Sequence, residues 1–245
     1  MAELLYPPVV MAAKAAFRVL GLRFDITGTE LIPAAGGAVI ACTHVSYLDF
    51  IFCGLGAQPA KRLVRFMAKR EVFDHPISGR LMRGMKHISV DRSAGAASYR
   101  EALRALRSGE LVGVFPEATI SRSFTVKELK SGAVRMAAEA DVPVVPMAVW
   151  GSQRLWTKGR PKNLVQRRVP ITIRCGEPLR PRRGDDYQQR TAELRTRLQR
   201  LLDEAQAAYP DRPKPGEDPW WLPAHLGGSA PTPEEAAQLD TKRPE

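Results

Sequence analysis

The chain has 245 residues, 44% of them hydrophobic, enough for one sizeable α/β core and too few for two once a polar C-terminal stretch is set aside. Lysine and arginine outnumber the acids 37 to 26, a formal charge of +11 that calls for an anionic partner: nucleic acid, a phospholipid surface or a phosphorylated substrate. Three scattered cysteines, Cys42, Cys53 and Cys175, argue against a disulfide framework or zinc site and fit a reducing cytosol. No stretch reaches the roughly 20 apolar residues of a membrane-spanning helix.

Residues 4–20 open with Pro7-Pro8 and place Val9, Val10, Ala13, Phe17 and Leu20 on one helical side, with Lys14 and Arg18 on the other. Such a helix lies in a lipid interface or packs on the core, and periodicity does not choose between them. Residues 22–26 alternate as an edge strand, and Gly36-Gly37 introduces a buried strand over 38–41. A helix after Ser46 carries Phe50, Ile51, Phe52 and Leu55 inward. A short strand over 63–67, a Pro76-containing helix to Gly84 and a strand over 87–90 follow, the last delivering Asp91-Arg92. Helices over 98–106 and 132–140 alternate with apolar strands over 111–115, 142–149 and 169–175, before a long covering helix over 185–208. Continuous apolar strands separated by helices predict a single α/β domain, residues 22–208, with a mixed, mostly parallel sheet flanked by helices. Residues 1–21 are expected to form its N-terminal amphipathic, membrane-associating helix. Residues 209–245 hold eight prolines, few aliphatics and an acidic balance in residues 210–245, and are expected to form a loosely ordered tail, with Trp220-Trp221 docking on the domain or at a lipid interface.

In such sheets the chemistry gathers at strand carboxyl ends. His44, Arg92 and Glu117 each follow a predicted strand, so three distant residues converge on one crevice. In Thr43-His44-Val45-Ser46-Tyr47-Leu48-Asp49, the histidine is sited for general-base work and the aspartate for fixing its tautomer. The plainer alternative is that Ser46-x-x-Asp49 is a capping box opening a helix at Tyr47 and His44 a core residue. Glu117, fixed after Pro116, orders a basic residue or a substrate hydroxyl, or is a simple turn acid. Asp91-Arg92 alone reads as a surface ion pair.

Taken together, four ordered blocks resemble the glycerolipid acyltransferases, in particular the lysophosphatidic-acid (1-acylglycerol-3-phosphate) acyltransferases. They are His44-x4-Asp49, residues 88–92 ending in Asp91-Arg92, residues 115–121 and residues 142–146. The resemblance implies transfer of an acyl group from acyl-CoA or acyl carrier protein, as co-substrate, to a glycerol hydroxyl of a phosphorylated acceptor, with no metal or other cofactor. His44 and Asp49 would be catalytic, with Arg92, Glu117, Ala118, Thr119, Ser121, Arg122 and Lys130 on the substrate. The sequence departs from the pattern where Ala118 replaces the usual glycine and Ile120 the usual arginine, which leaves Arg122, Lys127 or Lys130 to supply the charge.

Residues 150–183 carry ten lysines and arginines against Glu177, with Leu155 and Trp156 interleaved, a pattern for an anionic membrane surface. The expectation is a peripheral, monotopic enzyme on the cytoplasmic face of the membrane, making phosphatidic acid from a lysophospholipid acceptor. Glycerol 3-phosphate or a glycolipid, such as a phosphatidylinositol mannoside, is the alternative acceptor. Of a different class, a non-catalytic basic lipid- or nucleic-acid-binding protein explains the charge but leaves His44 and Asp49 without a role, and no nucleic-acid motif is present.

Overall fold

A computed structural model describes residues 5–91 and 95–241. In chain order the elements are α1 (Tyr6–Leu20), β1 (Arg23–Thr27), β2 (Ala38–Cys42), α2 (Asp49–Gly56), β3 (Val64–Lys69), α3 (Arg70–Asp74), α4 (Pro76–Gly84), β4 (Ile88–Val90) and α5 (Gly95–Arg107). They continue with β5 (Leu111–Val114), α6 (Gly132–Ala140), β6 (Val144–Trp150), β7 (Pro170–Cys175), α7 (Tyr187–Ala207) and α8 (Pro233–Thr241). The strands form one sheet in the order β1-β7-β6-β2-β5-β3-β4. Every pair is parallel except β6 with β7, so the sheet is mixed and mostly parallel, as the apolar strand runs require.

β2 shows why its sequence is apolar throughout. Val39 and Ala41 join the core under α5, α6 and α7, while Ala38, Ile40 and Cys42 join the core on the α2 side. A strand buried on both faces has no polar side, hence Ala-Val-Ile-Ala-Cys rather than alternation. Gly113 in β5 is a packing requirement, because a Cβ there would sit 2.5 Å from the Phe66 ring.

Parallel pairing of β6, β2 and β5 brings their carboxyl ends to one edge, with Ala41 beside both Pro146 and Val114. The loops after these strands begin at Thr43, Phe115 and Gly151 and therefore meet. β4 lies three strands from β2 in the order, and Arg92, which follows it, falls outside the described residues.

α1 packs through Tyr6, whose hydroxyl donates to the Val64 carbonyl at 2.9 Å, and through Phe17, stacked on Phe52 at 5.3 Å. Its other side stays open, with Met11 and Val19 each 70% exposed. The Pro76 region holds two helices rather than one, since proline disfavours helical backbone at His75. Residues 209–232 show little regular structure, in keeping with their prolines, yet they are pinned. Tyr209, Trp221 and Leu222 are buried in the α7-side core, and Gln153 Nε2 donates to the Trp221 carbonyl at 3.1 Å.

Candidate active site

The loop after β2 turns around the carboxylate of Asp49, which is fully buried. Its Oδ2 accepts the Val45 and Ser46 amides, each at 2.7 Å, and lies 3.2 Å from His44 Nδ1. Its Oδ1 accepts the Ser152 hydroxyl at 2.6 Å. Each backbone and hydroxyl contact offers a hydrogen, so the tautomer that fits carries its proton on Nδ1 and leaves the far ring nitrogen as an acceptor. The helix starts at Asp49 rather than Tyr47. Even so, the bond from the Ser46 amide to Asp49 is the backward half of a capping box, and the same carboxylate orients the histidine. The structural and the chemical reading of Ser46-x-x-Asp49 therefore coexist.

The His44 ring stacks on Phe115, with centroids 4.2 Å apart and planes at 22°, and Phe115 in turn stacks on Phe66 at 6.0 Å. Phe66 also lines an apolar cavity of about 280 Å³ between α1, α2 and α4. Tyr6, Val10 and Phe17 form one wall of it, Phe50, Ile51 and Leu55 the other. Of the four residues of α2 expected to point inward, only Phe52 enters the core, and the other three face this cavity. An aromatic stack thus leads from an apolar chamber to the histidine.

Glu117 is buried, 5% exposed. Its Oε1 accepts the His44 amide at 2.8 Å and its Oε2 the Lys127 amide at 3.0 Å, so it ties two loops together through main chain. Burial pushes its carboxyl up to about 7, against the pull of those two amides. Ala118 has φ +62°, a left-handed turn that glycine adopts freely and that costs alanine about 1 kcal/mol. Its amide closes the turn on the Phe115 carbonyl at 3.0 Å, and the Ser121 amide holds the His44 carbonyl at 2.7 Å. Ser121 Oγ is buried and donates to the Thr125 carbonyl at 2.6 Å, a contact that shapes the loop. Ile120 is 3% exposed and points into the interior, so position 120 contributes no charge to the surface.

The positive charge comes from elsewhere. Arg122 Nε, Lys127 Nζ and Lys158 Nζ converge on one carboxylate, that of Asp240 in α8, at 3.2, 2.6 and 3.1 Å. Lys127 Nζ also donates to Thr119 Oγ1 at 2.7 Å. Lys130 is exposed, and its backbone amide donates to the Pro116 carbonyl at 2.9 Å. The sequence points to His44, Asp49, Arg92, Glu117, Ala118, Thr119, Ser121, Arg122 and Lys130, with Lys127 an alternative source of charge, and of these only Arg92 lies outside the described residues. It does not point to Ser152, Lys158 or Asp240, which lie over a hundred residues from His44 and belong to no motif.

The described residues contain no group of three or more His, Cys, Asp or Glu able to hold a metal ion. None of their helices is long and apolar enough to cross a membrane.

Fold and loop geometry define an α/β protein whose histidine and buried carboxylate stand at the carboxyl edge of a mostly parallel sheet. Residues 23–150, just over half the chain, match the acyltransferase family, and the chain belongs to it. It is 34% identical over 173 residues to a 1-acyl-sn-glycerol-3-phosphate acyltransferase of Bacillus subtilis, an alignment covering 68% of this chain and 80% of that protein. It is 37% identical over 165 residues to one from Limnanthes douglasii, covering 66% of this chain and 56% of the plant protein. The crystal structure of PlsC, the 1-acyl-sn-glycerophosphate (LPA) acyltransferase of Thermotoga maritima, superposes with a TM-score of 0.68 at 24% identity. That match covers 84% of this chain and 81% of the other, a shared fold.

Proposed function

We propose that the chain moves a fatty acyl group from a thioester, acyl-CoA or acyl carrier protein, to the free hydroxyl of lysophosphatidic acid, giving phosphatidic acid. The observation that carries this is the His44 ring, held at Nδ1 by buried Asp49 and 18% exposed at the edge of the sheet. The far nitrogen takes the proton of the acceptor hydroxyl as that oxygen attacks the thioester carbonyl. The tetrahedral intermediate then expels the thiolate, which recovers the proton from the imidazolium. Asp49 keeps the tautomer correct and stabilises the cation, and no acyl-enzyme is needed. Backbone amides of the turn after Glu117 supply the oxyanion donors.

The acyl chain occupies the apolar cavity beside Phe66, and the phosphate monoester sits on Arg122, Lys127 and Lys158, with Arg92 a further candidate. The relatives named as 1-acyl-sn-glycerol-3-phosphate acyltransferases support this choice of acceptor.

The test is transfer by purified protein from labelled acyl-CoA to lysophosphatidic acid, glycerol 3-phosphate and water. His44→Ala is expected to lose roughly a hundred- to ten-thousand-fold in rate, the usual worth of a positioned base, and Asp49→Asn to lose much of the same. Undiminished transfer by His44→Ala would overturn the mechanism.

A further inference from the structure

α8 is held to the domain in an unusual way. A Thr232–Glu235 capping box opens it: Glu235 Oε2 accepts the Thr232 amide at 2.8 Å and Thr232 Oγ1 accepts the Glu235 amide at 3.3 Å. Of its nine residues only Ala236 is buried, and Leu239 is 41% exposed. A helix this short is marginal alone and gains little from one buried methyl. What fixes its last turn is Asp240.

Asp240 reaches into machinery joined to the His44 loop by three separate links. Lys127 gives its amide to Glu117, whose other oxygen holds the His44 amide. Arg122 follows Ser121, whose amide holds the His44 carbonyl. Lys158 follows Thr157, whose hydroxyl donates to the Val45 carbonyl at 2.7 Å. The cations are thus anchored within one residue or one carboxylate of the loop that carries the base.

The Asp240 carboxylate meets three cations at once: its Oδ1 serves both Arg122 and Lys158 while its Oδ2 serves Lys127. Burial opposes the ionised form of Asp240, and the hydrogen bonds from Lys127 and Lys158 outweigh it, holding the carboxyl below its ordinary range. A phosphate monoester brings about −1.5 to −2 charges and three acceptor oxygens, one for each cation.

We propose that α8 closes the phosphate seat of the acceptor, with the Asp240 carboxylate holding Arg122, Lys127 and Lys158 until a phosphate monoester displaces it. The inference rests on the reading that the acceptor is phosphorylated, and it adds an internal competitor to that site. Acceptors without phosphate do not displace the carboxylate, so Asp240 also selects for the anionic head.

The experiment uses the full chain with Asp240→Asn, which keeps the side chain's size and removes its charge. The apparent KM for lysophosphatidic acid is expected to fall roughly tenfold, equivalent to about 1.4 kcal/mol, while that for monoacylglycerol stays put. An unchanged or raised KM for lysophosphatidic acid overturns the proposal. A second measurement, independent of turnover, is amide hydrogen exchange of α8 in the unsubstituted protein. It should accelerate with sn-glycerol 3-phosphate and not with glycerol, and equal exchange in the two overturns displacement. Lys127→Gln separates the two layers of the argument. If it raises the KM while Asp240→Asn leaves it alone, the seat stands and the closure falls. If neither variant moves the KM, the phosphorylated acceptor falls as well.

Discussion

Glu117 is a buried carboxylate that accepts two backbone amides, one from His44 and one from Lys127. Its carboxyl is raised to about 7 by burial, from an ordinary value of 4.5. Between those values the native state binds a proton that the unfolded chain has released. Stability is therefore fully present below about 4.5 and is lost as pH rises through about 7, by a difference on the order of 3 kcal/mol. Glu117→Gln cannot titrate. Denaturant unfolding at about pH 4.5 and about pH 7.5 should show a smaller decline in that variant than in the parent, and equal declines would remove Glu117 as the group responsible. The variant should also start less stable by about 1–3 kcal/mol, because an amide offers one acceptor to two backbone N–H groups.

At the scale of elements, α1 and α2 face each other across an apolar gap where a closely packed core would leave none. Gly54 of α2 borders that gap, and a Cβ there would meet only the Phe66 ring and the Tyr6 hydroxyl, both at 3.9 Å. A side chain at 54 can therefore be accommodated by the cavity. Gly54→Leu should keep or slightly raise stability, since leucine favours the helix by up to about 1 kcal/mol over glycine. It should also cut transfer of long acyl chains at least roughly tenfold relative to medium ones, through the loss of more than about 1.4 kcal/mol of buried contact. A variant that handles both lengths like the parent would place the acyl chain elsewhere. The same elements account for the split character of α1. Tyr6 and Phe17 pack inward while Met11 and Val19 remain exposed, so one side of the helix covers the core and the other is open.

For the whole molecule, charge and exposed apolar groups meet on one side. Arg167 Nη2 donates to the Val19 carbonyl at 3.1 Å and the Arg168 amide to the Leu20 carbonyl at 2.9 Å, which joins the basic loop to the end of α1. That loop exposes Leu164 and Val165, the latter 78%, among Arg160, Lys162, Arg167 and Arg168. Leu155, an expected part of the patch, is instead buried at 3%, because it packs with Val169 in the α2-side core. We propose that this face docks on an anionic leaflet, each basic residue near the surface contributing about 1 kcal/mol. In liposome flotation the protein should rise with anionic vesicles and much less with neutral ones, the difference shrinking as salt is added. Equal flotation with both would discard the electrostatic part of the proposal.

The sequence by itself determined the layered fold. Strands apolar on nearly every residue have to be covered on both faces, and their alternation with helices predicts a mostly parallel sheet between helical layers. It also located the histidine and the aspartate that orients it, because both lie in one seven-residue loop whose contacts are local. The cation cluster proposed as the phosphate seat is legible only in part. Arg122 and Lys127 stand near the Phe115 turn in sequence, but Lys158 arrives from the loop after β6 and Asp240 from a tail whose composition pointed to loose order. Only the tertiary structure decided that Glu117 binds main chain, that Ser152 completes the Asp49 shell and that α8 ends in a cluster of cations. Such contacts depend on which strand ends the sheet brings together, and no local periodicity encodes that order.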